Sequence, residues 1–134
     1  MTPGKGRVLF MDDEPSIREF AQELLTRLGY EVTCAEHGEQ ALERFKQARA
    51  AGRPFDLVIL DLTVRGGMGG KEAIVKLRYI EPDIPAIVSS GYFNDPVMAD
   101  FSRLGFSARI AKPYTAESLS QIIRTVLESR VPAA

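Results

Sequence analysis

The chain predicts an α/β fold, (βα) repeated five times, with one parallel sheet covered by helices on both faces. Three observations point there. Five short apolar runs alternate with five stretches of helical periodicity. The first run, Arg7–Met11, is apolar after its arginine, as a strand buried on both faces is. Regular strand–helix alternation implies parallel strands joined by right-handed crossovers.

Arg7–Met11 is the first strand, ending in Asp12-Asp13-Glu14. Pro15 then suits a first helical position. Ile17, Phe20, Ala21, Leu24, Leu25 and Leu28 form one apolar stripe, closed by Gly29. Glu31–Ala35 is the second strand. From Gly38 to about Ala50 runs the second helix, with Ala41, Leu42, Phe45 and Ala48 inward. Gly52-Arg53-Pro54 is a loop, and Phe55–Leu60 is the most strand-like run. Gly66, Gly67, Gly69 and Gly70 lead into a third helix through Ala73, Ile74 and Leu77.

Ile84–Ser89 is the fourth strand, entered through Pro82 and Pro85. Asp95-Pro96 opens a short fourth helix, anchored by Val97 and Phe101 and stopped by Gly105. Ser107–Ala111 is the fifth strand. Thr115 is placed to cap the last helix, whose inner face is Leu119, Ile122, Ile123, Val126 and Leu127. The tail Val131–Ala134 is expected to fray.

The 134 residues are expected to be one domain, with a core of about 7–130 and short flexible ends. A hydrophobic share of 45% with 26% charged residues is ordinary for a globular chain. A net charge of −1 gives no strong field toward nucleic acid or an anionic membrane. The one cysteine, Cys34, excludes an internal disulfide and reads as a small core residue rather than a reactive thiol. No apolar run approaches the ~18 residues of a membrane span, and no signal-peptide core follows Met1. A cytoplasmic, reducing setting is expected, without membrane contact or nucleic acid.

In such sheets the ligand site lies beyond the carboxyl ends of the strands. Asp12 and Asp13 end the first strand, Asp61 the third, Ser89-Ser90 the fourth and Lys112-Pro113 the fifth. Neighbouring first and third strands would bring their ends to within ~5 Å. Three crowded carboxylates repel unless a cation offsets them. A hard divalent ion such as Mg2+, with the Lys112 ammonium, can do so. One carboxylate is then free as a nucleophile toward a phosphoryl group, a reaction that needs mostly positioning and charge neutralisation. Each of these residues alone is more often a turn or cap residue. Their joint placement on one sheet edge carries the functional reading.

Taken together, Asp12-Asp13, Asp61, Ser90 with small Gly91, and Lys112-Pro113 resemble the receiver domain of two-component response regulators, over about Arg7 to Arg130. The resemblance implies a flavodoxin-like fold with strand order 2-1-3-4-5. It implies that Asp61 accepts a phosphoryl group from a phosphohistidine of a histidine kinase or histidine phosphotransfer domain. It further implies that Asp12, Asp13, Asp61 and the backbone carbonyl of Thr63 hold Mg2+. Ser90 and Lys112 would contact the phosphoryl group and draw in the face formed by helix four, strand five and helix five. The peptide before Pro113 is expected to be cis, and the module is expected to be no turnover enzyme.

Three positions depart from the family pattern. Arg109 stands where an aromatic switch residue is usual, three before Lys112. Tyr92, Phe93 and Tyr114 are the remaining aromatics that could carry the signal, with plain packing the alternative for each. Arg65 replaces the usual loop proline, and the loop is one glycine longer, which predicts mobile backbone and a looser metal site. The segments around Asp12, Asp61 and Ser90 look most like receivers at the C-terminus of hybrid histidine kinases. No output domain is expected after the fifth helix, and the oligomeric state is left open.

Rival readings fit less well. A phosphate-binding P-loop ending at Gly70-Lys71 would need glycine at Arg65 and Ser or Thr at Glu72. A dinucleotide fingerprint would need glycine at Glu72. A haloacid-dehalogenase-like phosphotransferase needs an acid at Thr63. A docking module with a receiver fold but no switch has only Arg109 in its favour. His37, the one histidine, reads as an exposed, inert turn residue far from the acidic edge.

Overall fold

The structure is a computed structural model; it describes residues 6–91 and 96–129, apart from the Val97 side chain. The elements are β1 (Arg7–Met11), α1 (Pro15–Arg27), β2 (Glu31–Ala35), α2 (Gly38–Ala50), β3 (Leu57–Asp61), α3 (Gly70–Ile80), β4 (Ala86–Ser90), α4 (Pro96–Ala99), β5 (Ala108–Ala111) and α5 (Ala116–Ser129). All five strands pair in parallel in the order β2-β1-β3-β4-β5. That is the flavodoxin-like order the sequence implied.

Side chains alternate across each strand, so the sheet separates two cores. Leu9, Met11, Val58, Leu60 and Val88 face the layer of α2, α3 and α4. Val8, Phe10, Leu57, Ile59 and Ile87 face α1 and α5. Asp12, Asp61 and Ser89 continue this second set of rows at the carboxyl edge. The sheet's own pleat therefore aims two acids into one place.

Several boundaries differ from the sequence reading, each for a local reason. β3 starts at Leu57 because Phe55 and Asp56 turn under β1, with Asp56 N–H donating to the Arg7 carbonyl at 2.8 Å. It runs on to Asp61, and pairing continues as Leu62 N–H donates to Ser89 at 2.8 Å. β4 starts at Ala86, after Pro85, which has no N–H to pair. Helix α4 is only Pro96–Ala99, followed by turns to Gly105 at φ +104°. Its buried anchor is Met98; Phe101 is partly buried, and the Val97 side chain lies outside the described residues. Phe20, assigned to the α1 stripe, is 37% exposed and lies beside Tyr114, ring centroids 6.3 Å apart.

Thr115 caps α5 as expected: its Oγ1 accepts from Ser118 N–H at 3.0 Å, and Ser118 Oγ accepts from Thr115 N–H at 2.9 Å. Cys34 is half-buried against the second core, and burial pushes its thiol above the usual range. The tail Val131–Ala134 lies outside the described residues. Among the described residues, no helix is long and apolar enough to cross a membrane.

Candidate functional site

At the carboxyl edge, β1 and β3 are neighbours and their final acids meet. One carboxylate oxygen from each of Asp12, Asp13 and Asp61 lies within 4.8 Å of the others. Asp12 is fully buried and Asp61 is 3% exposed. Lys112 arrives from the end of β5 and bridges both, its Nζ 2.8 Å from Asp12 Oδ2 and 3.3 Å from Asp61 Oδ1. The Lys112–Pro113 peptide is cis, as the resemblance implied.

The local chain explains each placement. Asp12 Oδ1 accepts from Glu14 N–H at 2.9 Å, an Asx-type turn that starts α1. Arg18, one turn into α1, donates to the Asp12 carbonyl at 2.8 Å. Lys112 N–H donates to the Ser90 carbonyl at 2.8 Å, which ties the lysine to the end of β4. Asp13, Asp61, Thr63, Ser90 and Lys112, with Glu14, Arg65 and Gly91, line one cleft of 290 Å³. Every site residue singled out from the sequence except Asp12 and Arg109 lines this cleft; Asp12 lies beneath it, reached by Lys112.

The electrostatics are those of an overloaded acid cluster. Burial pushes the Asp61 carboxyl up to about 7, and Asp12 and then Asp13 add to the rise while Lys112 opposes it. Lys112 shows the converse. Burial works against its charge, yet Asp12 and Asp61 hold its ammonium above the usual range. Three carboxylates thus face one ammonium. The surplus negative charge and the all-oxygen donor set suit a hard divalent cation, so these residues fit Mg2+.

Arg109 lies outside the cleft. Its guanidinium donates to the Met98 carbonyl at 2.5 Å and sits 5.6 Å from the centre of the Phe101 ring. An arginine at this position therefore ties β5 to the α4 segment. Of the other candidate aromatics, Tyr92 and Phe93 lie outside the described residues. Tyr114 is turned inward; burial pushes its phenol up, and the Asp12 charge adds to that.

The glycine loop, expected to be mobile, makes defined contacts with the start of α2 and with the end of β3. Met68 exchanges both backbone groups with the start of α2: its carbonyl accepts from Gly38 N–H at 2.7 Å, and its N–H donates to Glu39 Oε1 at 3.0 Å. Gly69 and Gly70 press on the Leu62 and Asp61 backbone, where a methyl on Gly70 would stand 2.8 Å from the Asp61 carbonyl oxygen. His37 also differs from its reading. It is half-buried, its Nδ1 caps α2 by accepting from Gln40 N–H at 3.2 Å, and it shares a second cleft with Asp13 and Arg65. Glu39 and Met68 were missed from sequence. The one legible signal was an apolar residue isolated between two glycine pairs.

Comparison with known proteins agrees with this geometry. The family model described as "Response regulator receiver domain" matches residues 8–124. The chain belongs to that family. Among relatives of this receiver, sporulation initiation phosphotransferase F of Bacillus subtilis is 27% identical over 90% of this chain and 93% of its own length. Sensor kinase CckA of Brucella abortus is 30% identical over 95% of this chain, which spans 13% of that protein. Some other curated relatives are also long: the chain spans 15% of transcription factor SKN7 of Chaetomium thermophilum and 48% of a probable transcriptional regulator of Porphyridium aerugineum. Among solved structures, response regulator TrrA of Thermotoga maritima in complex with Mg(2+)-BeF superposes with a TM-score of 0.77 at 32% identity, covering 90% of this chain and 97% of that one. The chain is thus a phosphoacceptor receiver domain of two-component signalling, the class of module that works with histidine kinases or phosphotransfer proteins.

Proposed function

We propose that Asp61 is the phosphoacceptor and that Asp12, Asp13, Asp61 and the Thr63 carbonyl hold Mg2+. The observation that carries this reading is Lys112 Nζ, poised between Asp12 and Asp61 at 2.8 and 3.3 Å where the three acids converge. When bound, the ion supplies charge neutralisation and orientation for the phosphoryl oxygens. An Asp61 oxygen attacks phosphorus. The phosphorus–nitrogen bond of the donor phosphohistidine breaks, and the imidazole leaves with the bonding pair and takes a proton from solvent. Lys112 offsets charge on the transferred group, and the Ser90 hydroxyl closes on it from the end of β4.

Displacement of Ser90 and Lys112 then shifts the population of the α4–β5–α5 face. The module accepts one phosphoryl group and loses it slowly, without turnover of a phosphate ester. Its donor is a histidine kinase or phosphotransfer domain, in its own chain or another; the match within a long sensor kinase supports the first arrangement, and the match along nearly the whole of sporulation initiation phosphotransferase F supports the second. Binding of beryllofluoride with Mg2+ tests the reading. NMR shifts should cluster around Asp61 and Ser90 and vanish in Asp61→Asn. Shifts elsewhere, or shifts that persist in the variant, would remove Asp61 from the role.

A further inference from the structure

We infer that Glu39 and Met68 are positioning residues for the metal side of this site: they clamp the lengthened glycine loop to the first turn of α2, and the clamp sets where the Thr63 carbonyl stands. The inference rests on the reading of Thr63 as a metal ligand. Four contacts fix the loop's path. Arg65 N–H reaches Asp13 Oδ2 at 3.3 Å. The two Met68 bonds, at 2.7 and 3.0 Å, join the middle of the loop to Gly38 and Glu39. Gly70 N–H donates to the Leu62 carbonyl at 3.2 Å. Thr63 and Val64 lie between the last of these and the first.

Side-chain packing reinforces the same joint. Gly38 is buried, and a methyl there would meet Met68 Cγ at 2.6 Å. A methyl on Gly67 would meet His37 Cβ at 3.0 Å. Gly66, at φ +68°, has open space around it and provides the bend. The Met68 amide is the main cause holding the Glu39 carboxyl below its usual range, with Glu39's own N–H adding to it.

A loop with four glycines loses more conformational freedom on ordering than most. If it were free, the cation would have to order it on binding. Clamped, the carbonyl is presented in advance and the metal meets a prepared site. The clamp thus offsets the added length of the loop, and neither Glu39 nor Met68 touches the ion or the phosphoryl group.

The test uses the metal-free protein, Mg2+ titration by calorimetry, and amide exchange at Met68 and Gly38 by NMR. Glu39 is exposed, so its substitution leaves the fold intact. In Glu39→Ala, Mg2+ should bind about tenfold more weakly, the scale of an outer partner that orients a ligand. Its Met68 amide should exchange faster even without metal. Glu39→Gln should keep most of the wild-type affinity, because its amide oxygen still accepts from Met68. Gly38→Ala should mimic Glu39→Ala, and adding Met68→Ala should restore part of the loss by making room for the methyl.

Faster exchange with unchanged Mg2+ affinity would reduce the clamp to a structural role and overturn the inference. Unchanged exchange in Glu39→Ala and Gly38→Ala would overturn the clamp itself. Asp13→Asn separates the two levels. If wild type binds no Mg2+ that Asp13→Asn weakens, the proposed metal site fails, and the positioning role with it.

Discussion

On one flank of Asp61, the segment Thr63–Gly70 is held through its own main-chain groups, two of them bonded to main chain and two to the Asp13 and Glu39 side chains. Met68 bonds to α2 through both its N–H and its carbonyl, and Gly69 and Gly70 lie against main chain with no room for a methyl. On the other flank, Pro96–Gly105 holds one four-residue helix and a run of turns, tied to β5 by the Arg109 side chain through Met98 and Phe101. Backbone fixed by close approach cannot slide without collision. A side-chain tether can be released and remade. The first arrangement suits holding a metal ligand still, and the second suits a surface that must change.

Asp61→Asn tests the centre shared by both flanks and has the largest expected effect. Phosphoryl uptake from acetyl phosphate, followed by intact-protein mass spectrometry, should disappear. A retained phosphoryl adduct would place the acceptor elsewhere.

The fixed flank predicts a marked contrast between two glycines. Gly69→Ala drives a methyl into the Leu62 carbonyl and should cost about 3 kcal/mol in urea unfolding, at the upper end for overpacking. Gly66→Ala meets open space and should cost only the left-handed backbone penalty of about 1 kcal/mol. Equal losses would mean that the loop is not held as described.

The acid cluster makes stability depend on pH in a direction that can be stated. Asp61 is raised from 3.8 to about 7, so the folded state binds its proton more tightly than the unfolded state. The stability this contributes is full below about pH 4 and is lost as pH rises through about 7. The ceiling is about 4 kcal/mol, since each pH unit is worth 1.36 kcal/mol. With metal removed by chelation, wild type should lose stability from pH 5 to pH 8 relative to Asp61→Asn, whose profile should be flatter. Mg2+ favours the carboxylate and should restore part of the loss at pH 8. A metal-free wild-type profile as flat as that of Asp61→Asn would show that the buried pair with Lys112 already compensates.

The smallest effect belongs to the tethered flank. Arg109→Ala removes one hydrogen bond and a partly exposed cation–π contact, together about 1 kcal/mol. Hydrogen exchange should rise over residues 98–104 while the glycine loop stays protected. Equal deprotection of both flanks would erase the distinction between them.

Much of this was legible in the sequence because it is local. The α2 face Ala41, Leu42, Phe45 and Ala48 is buried as its spacing required. Asp61 and Lys112 stand at strand ends where apolar runs stop. The shortfalls are equally physical. α4 was read from Asp95 to Gly105, yet only Pro96–Ala99 is helical, because Met98 and Phe106 supply the burial and the rest closes in turns. His37 looked like a lone turn residue, because a cap is visible only once Gln40 N–H is seen to point at it. The glycine loop looked mobile because glycine content signals freedom, whereas here the glycines permit close approach.

By itself the sequence determined the alternation of strands and helices and which chemical groups end each strand. Periodicity and strand termination act over a few residues and need no knowledge of neighbours. Tertiary structure alone decided how those groups divide the work. Sheet order and pleat put Asp12 in the buried row with Asp61 and left adjacent Asp13 in the cleft. Packing of α2 against the loop gave Met68 and Glu39 their joint, and the crossing from β5 to α4 gave Arg109 its carbonyl. These contacts join residues distant in the chain, and their geometry follows from register and close packing, which no local pattern encodes.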